Sequence, residues 1–150
     1  MKRVLFVCTH NSARSQMAEG LLRHHAGDRF EAFSAGTEPG SLQPLAVRVM
    51  AELGIDISDH SSKPVDQFLD QSFDFVVTVC DQARESCPVF QGAARQLHWS
   101  FEDPSQVEGS EEERLEVFRR VRDEIEARIR RFTSEQASEK SGGRRTWDHR

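Results

Sequence analysis

The sequence predicts a single-domain α/β protein, a parallel sheet with helices on both faces, and three observations carry that expectation. Short apolar runs alternate with helical stretches along the chain. The run Phe73 to Val79 is apolar apart from Asp74 and Thr78, as in a central strand buried on both faces. The 150 residues, 37% hydrophobic and 30% charged, suit one domain with one core.

Taken in order, Val4 to Val7 is a short apolar run that reads as a buried strand ending at Cys8. Small polar residues follow, and a helix runs from Ser15 to about Ala26, with Met17, Leu21 and Leu22 on one face and Gly27 as its stop. Phe30 to Ala35 is a second strand, ended by Gly36, and Thr37 to Ser41 is a turn-rich loop. Gln43 to Leu53 is a second helix, with Pro44 in its first turn, Leu45, Val49 and Leu53 as its stripe and Gly54 as its cap. A short helix is expected within Lys63 to Leu69, then the strand over Phe73 to Val79, then a last strand over Arg95 to His98.

Ser110 and Glu113 form a capping box for a final helix that reaches about Phe132. Leu115, Phe118, Val121, Ile125 and Ile129 are its buried stripe, and Glu116–Arg120, Glu124–Arg128 and Glu126–Arg130 are its expected ion pairs. From Ser134 the apolar period stops. The expected organisation is therefore a domain over residues 1–133 and a tail over 134–150 that is disordered or ordered on a neighbour.

Net charge of −5 argues against a nucleic-acid-binding surface, and no apolar run approaches membrane-spanning length. The start Met1-Lys2-Arg3 leads into a run too brief for a secretory signal, so a cytoplasmic protein is expected, read as a monomer. Six scattered histidines and no Cys-x-x-Cys give no metal signature and no bound cofactor. Three cysteines, Cys8, Cys80 and Cys87, suit transient redox chemistry better than a structural disulfide framework.

The chemistry concentrates where the first strand meets the first helix. A helix start presents unpaired N–H groups and a positive dipole end, so Thr9, His10, Asn11, Ser12, Ala13, Arg14 and Ser15 form a candidate oxyanion cradle. Cys8 opens that loop and Arg14 closes it, with five residues between them. Arginine offers a planar fork for two oxygens of a tetrahedral anion, and the positive surroundings favour a thiolate at Cys8. Those features suit a sulfur nucleophile attacking the central atom of a phosphate-like ion. Cys80 ends the third strand as Cys8 ends the first, so the two are expected to lie near each other.

Cys-x5-Arg-Ser near the N-terminus resembles the phosphate-binding loop of low-molecular-weight protein tyrosine phosphatases. With Ser-Gln-Met-Ala-Glu-Gly (Ser15 to Gly20), Cys80 and Cys87, and His98-Trp99-x-Phe-x-Asp-Pro, it is more similar to their relatives, the thioredoxin-coupled arsenate reductases. The resemblance spans Arg3 to about Phe132. It implies a four-stranded parallel sheet and reduction of arsenate to arsenite. The implied relay passes from Cys8 to Cys80 to Cys87, with external thioredoxin as reductant and glutaredoxin with glutathione as the alternative. It implies Asp103 as general acid, with Glu102 nearby as a competitor. Cys80 and Cys87 lie seven positions apart, about 10 Å along a regular helix, so a disulfide between them requires the segment to bend or unwind.

The loop departs from the commoner reductase pattern at His10, where glycine is frequent, and at Ala13, where many relatives carry another cysteine. Asn11, Glu19 and Ser34 match a potassium site of some relatives, but Lys63 replaces an acidic ligand and its ammonium is expected to take the ion's place. Two other functions fit parts of the sequence. A phosphatase acting on phosphotyrosine would use Cys8, Arg14 and Asp103 alone, although Ser105-Gln106 offers no aromatic clamp and the chain has no Tyr. A non-enzymatic redox-sensing or anion-binding module would use the cysteines stoichiometrically.

Overall fold

The computed structural model describes residues 1–90 and 95–142, with backbone alone over 138–142. Four strands, β1 (Lys2–Cys8), β2 (Phe30–Gly36), β3 (Phe75–Thr78) and β4 (Arg95–His98), form one parallel sheet in the order β2-β1-β3-β4. Four helices, α1 (Arg14–Ala26), α2 (Pro44–Ala51), α3 (Asp81–Ser86) and α4 (Glu111–Gly142), connect or follow them. Strand order reverses direction beside β1, so the crevice beyond the C-terminal ends of β1 and β3 is where such sheets bind ligands.

Alternation along the strands sorts the two faces. Val4, Phe6, Ala32 and Phe75 share one face, covered by α1 and α4, and Phe132 of α4 stacks against Phe30, Phe75 and Trp99. Leu5, Phe33 and Val76 share the other face. A ring cluster of Phe33, Phe68, Phe73 and Phe90 closes it, and α3 packs there against β1 and β3. Both faces are therefore dry, which explains the near-continuous apolar runs of β1 and β3.

The elements follow the sequence with small shifts. Gln43 stands at the N-cap of α2 and its side chain accepts from Leu45 N. Gly54, at φ +77°, leaves that helix in the left-handed conformation. The expected helix within Lys63 to Leu69 is a single 3-10 turn, Val65–Phe68. The capping box is formed: Glu113 N donates to Ser110 Oγ at 3.1 Å, and Ser110 N to Glu113 Oε1 at 2.8 Å.

The outer charges of α4 pair partly otherwise than spacing suggested. Glu126 does meet Arg130. Glu116 instead meets Arg119, Arg120 reaches Glu102 and Glu124, and Arg128 lies over the Trp99 ring. Arg120 and Arg128 also find partners outside the helix, Glu102 and Trp99, because exposed pairs at helical spacing are worth only about 0.3–0.5 kcal/mol. The expected end of α4 is also corrected: it runs on to Gly142, with Gln136 buried. No proline or glycine interrupts Thr133 to Ser141, and extending an existing helix is far easier than starting one. The rest of the expected tail, 143–150, lies outside the described residues.

Candidate active site

The site is built from the end of β1 upward. Cys8 is buried at the strand's last position. The chain then turns sharply at Asn11, whose φ of +53° is a left-handed conformation that asparagine tolerates better than most residues. His10, standing where relatives often carry glycine, needs no such backbone, and its Nδ1 is tied to Glu38 O at 2.9 Å. The turn presses on the end of β2, where a Cβ on Gly36 would stand 2.7 Å from Thr9 O and 3.0 Å from Asn11 N. Only glycine admits the loop there. The carbonyls of Cys8, Thr9 and His10 accept from Thr37, Glu38 and Gly40, which fastens the turn-rich loop alongside.

Two donors converge on Cys8 Sγ. Asn11 N–H lies 3.2 Å away and Ser15 Oγ 2.9 Å away. The direction of the second contact follows from the network behind it. Asn11 Oδ1 accepts from the backbone N–H of Lys63 at 2.9 Å, so Asn11 Nδ2 must be the atom 2.7 Å from Ser15 Oγ. Ser15 Oγ accepts that hydrogen and is left to donate its own to the sulfur. Asn11 is fully buried and is further held by Gln16 Nε2 and by Ser62 Oγ, which donates to its carbonyl at 2.7 Å.

α1 starts with Ala13 at its N-cap and no side-chain cap, so its first N–H groups and its positive dipole end are open to an anion. Arg14 begins the helix, donates from Nη1 to Phe101 O at 3.0 Å and places Nη2 3.4 Å from Asp103 Oδ2. Asp103 caps the 3-10 turn Pro104–Gln106 through its other oxygen, which accepts from Ser105 N at 3.0 Å. Glu102, the rival acid, points away and pairs with Arg120 at 2.9 Å.

Cys80 stands just past β3, buried, with its Sγ 3.4 Å from Thr9 Oγ1. Thr9 follows Cys8 directly and also reaches Gln82 Oε1 at 3.3 Å, so one hydroxyl joins the loop to the second cysteine. Cys80 and Cys87 cap opposite ends of α3, and all three cysteines are free thiols. Burial pushes the Cys87 thiol up to about 11, so it is protonated in this conformation at neutral pH.

The residues matched to a potassium site are engaged with one another and with a cation of the fold itself. Glu19 Oε1 accepts from Ser34 Oγ and Oε2 from Arg23 Nη2, both at 2.5 Å, and Asn11 Oδ1 already has two donors. Lys63 was expected to supply the substituting charge, and here the sequence expectation is corrected: its Nζ donates to Ser61 O at 2.8 Å, while Arg23 is the cation on Glu19. Burial lowers the Lys63 ammonium from its ordinary range, and Glu19 opposes that shift. Among the described residues no cluster of three His, Cys, Asp or Glu side chains is placed to hold a metal ion.

The structure thus brings together Cys8, Asn11 and Ser15, joins Thr9 to Cys80, and pairs Arg14 with Asp103. Sequence reasoning missed Gln16, His60 and Ser62, which brace the loop from behind; His60 Nδ1 lies 2.9 Å from Gln16 Oε1. Gln16 lies inside the Ser15-to-Gly20 run, which gave it no role, and no local pattern marks His60 or Ser62. Gly36, alone at a strand end, was the one readable sign that a backbone approaches closely there.

Comparison with known proteins agrees with this geometry. Residues 3–142 match the family described as low molecular weight phosphotyrosine protein phosphatase. An arsenate reductase of Shouchella clausii is 50% identical over 131 residues, covering 87% of this chain and 94% of that one. An arsenate reductase solved in a phosphate-binding state superposes with a TM-score of 0.78 at 34% identity, covering 90% of this chain and 98% of that one. A thioredoxin-dependent arsenate reductase of Corynebacterium glutamicum superposes with a TM-score of 0.69 at 33% identity, covering 92% of this chain and 63% of that one. The loop that ends β1 and starts α1, the parallel sheet behind it and these similarities together place the chain in the low molecular weight phosphotyrosine protein phosphatase family.

Proposed function

We propose that the protein reduces arsenate to arsenite through Cys8, Cys80 and Cys87 in turn, and that thioredoxin reduces the last disulfide. The observation that carries the reading is the Thr9 hydroxyl, bonded to Cys80 Sγ from the residue beside Cys8. A phosphatase using Cys8 alone has no need of a second sulfur held at its loop. The similarity to arsenate reductases supports the same substrate.

In the proposed first step, Cys8 thiolate attacks the arsenic of arsenate held by the α1 N–H groups and the Arg14 fork. Ser15 and Asn11 donate to the sulfur, and Asp103 protonates the oxygen that departs as water. Cys80 then attacks Cys8 Sγ. The electrons of the S–As bond go to arsenic, which leaves as arsenite, and a Cys8–Cys80 disulfide forms. Cys87 attacks Cys80 and releases Cys8 as a thiolate. The dithiol of thioredoxin reduces Cys80–Cys87, so two electrons pass from thioredoxin to one arsenic.

The test is steady-state arsenate reduction by purified protein, with thioredoxin and glutaredoxin–glutathione systems supplied separately. Turnover with thioredoxin is expected. One stoichiometric oxidation without turnover would instead identify a sensor. Cys87→Ser is expected to release about one arsenite per molecule and then stop; continued cycling on thioredoxin would refute the relay. Cys80→Ser is expected to stop reduction while sparing any hydrolysis of p-nitrophenyl phosphate, and equal loss of both would contradict the division of roles.

A further inference from the structure

Asp81, the first residue of α3, adjoins Cys80 and reaches back to β4. Its Oδ1 lies 2.9 Å from His98 Nε2 and 3.2 Å from Ser100 Oγ. A carboxylate only accepts, so His98 Nε2 carries the hydrogen of that bond. The other ring nitrogen, Nδ1, lies 2.8 Å from Thr78 Oγ1 on β3. The last residue of β3, the last residue of β4 and the start of α3 are therefore joined by one chain of polar contacts that the redox steps do not use. The His98 and Ser100 bonds, with Arg84 contributing, hold the Asp81 carboxyl below the usual carboxylate range.

This chain of contacts sits at the point where α3 must come apart. Cys80 and Cys87 cap its two ends, about 10 Å apart along a regular helix, whereas a disulfide requires Cα atoms within about 7 Å. In the reduced protein Cys80 faces inward against Thr9. To bond Cys87 and meet an outside reductant it must turn outward, carrying Asp81 with it.

We propose that Asp81, held by His98 and Ser100, is a latch that keeps Cys80 turned toward Cys8 in the reduced protein and opens when Cys80–Cys87 forms. Asp81 and His98 are positioning residues: they touch neither substrate nor the reacting sulfurs. The inference rests on the three-cysteine reading above. Because the latch belongs to the reduced form, it makes the Cys80–Cys87 disulfide easier to reduce. It also raises the fraction of time in which Cys80 is placed to attack Cys8.

The test equilibrates the full chain, in a Cys8→Ser background, with mixtures of glutathione and glutathione disulfide. Each Cys80–Cys87 bond formed consumes one glutathione disulfide and yields two glutathione molecules. Asp81→Ala is expected to move the equilibrium toward the protein disulfide about two- to fivefold, a modest effect because the pair is exposed. Fivefold corresponds to a potential about 20 mV more negative for this two-electron couple. His98→Ala should shift it the same way, and Asp81→Asn, which keeps the accepting oxygen, should restore the parent value. With Cys8 present, single-turnover arsenite release should slow in Asp81→Ala while phosphate binding is unchanged.

Equal equilibrium constants in parent and Asp81→Ala would overturn the latch, as would a fall in melting temperature with no change in that constant. If no Cys80–Cys87 disulfide forms at any glutathione ratio, in parent or variants, the relay itself fails and the latch with it.

Discussion

At the scale of single residues, the reactivity of Cys8 depends on a hydrogen-bond direction set two bonds away. The Lys63 backbone N–H fixes the Asn11 amide, the amide fixes the Ser15 hydroxyl, and the hydroxyl donates to sulfur. A bond to a charged acceptor is worth about 1.5–3 kcal/mol. Ser15→Ala is therefore expected to lower kcat for arsenate roughly tenfold or more, at a KM within about twofold, measured by initial rates. A KM effect alone would instead place Ser15 on the substrate. Cys87 makes a second residue-scale prediction. A thiol raised from 9.0 to about 11 holds roughly a hundredfold fewer thiolates at pH 8. In a Cys8→Ser/Cys80→Ser protein, iodoacetamide should label Cys87 slowly at pH 8, faster by about tenfold per pH unit up to that range, and promptly once urea unfolds the chain. Fast labelling of the folded protein at pH 8 would show that Cys87 is not buried in solution.

At the scale of elements, sequence patterns were good guides wherever the cause is local. The capping box of α4, the proline in the first turn of α2 and the apolar runs of β1 and β3 all stand as expected, because each depends on neighbours within a few positions. Contacts between elements left weaker traces. Gly20 sits mid-helix in α1 because a Cβ there would come within 2.9 Å of Ile57 Cγ2 and 3.0 Å of Met50 Cε, where the chain leaving α2 crosses. Gly20→Ala gains helix propensity but overpacks that contact. A net loss of about 1–2 kcal/mol is expected by urea denaturation, and a more stable variant would mean that Met50 and Ile57 yield freely. The extent of α4 was misread for a related reason: Thr133 and Gln136 are polar yet buried, so the apolar stripe stops before the packed helix does.

At the scale of the whole molecule, the order β2-β1-β3-β4 brings two strand ends, and with them two cysteines, to one crevice. It also sets β2 beside α1, so that Ser34 reaches Glu19, which Arg23 already meets one turn along the same helix. That carboxylate is neutralised from within the fold by Arg23, so a monovalent cation has little uncompensated charge to answer there. Initial rates in potassium chloride and in tetramethylammonium chloride of equal ionic strength should agree within about twofold, the spread expected of salt screening alone. A large stimulation specific to potassium would show that Arg23 leaves Glu19 in solution.

The sequence by itself determined which atoms are available for chemistry and where the chain turns from strand to helix. Cys8, Arg14 and the helix start are neighbours along the backbone, so their spacing already implies an anion site. Tertiary structure decided which donors meet the sulfur, that Glu102 turns to Arg120 while Asp103 meets Arg14, and that Asp81 is tied to β4. Each of those choices joins residues from separate elements or competes one nearby side chain against another. Hydrophobic period and turn chemistry carry no record of such choices, because they report what a residue's own element buries, not which partner the packed fold sets beside it.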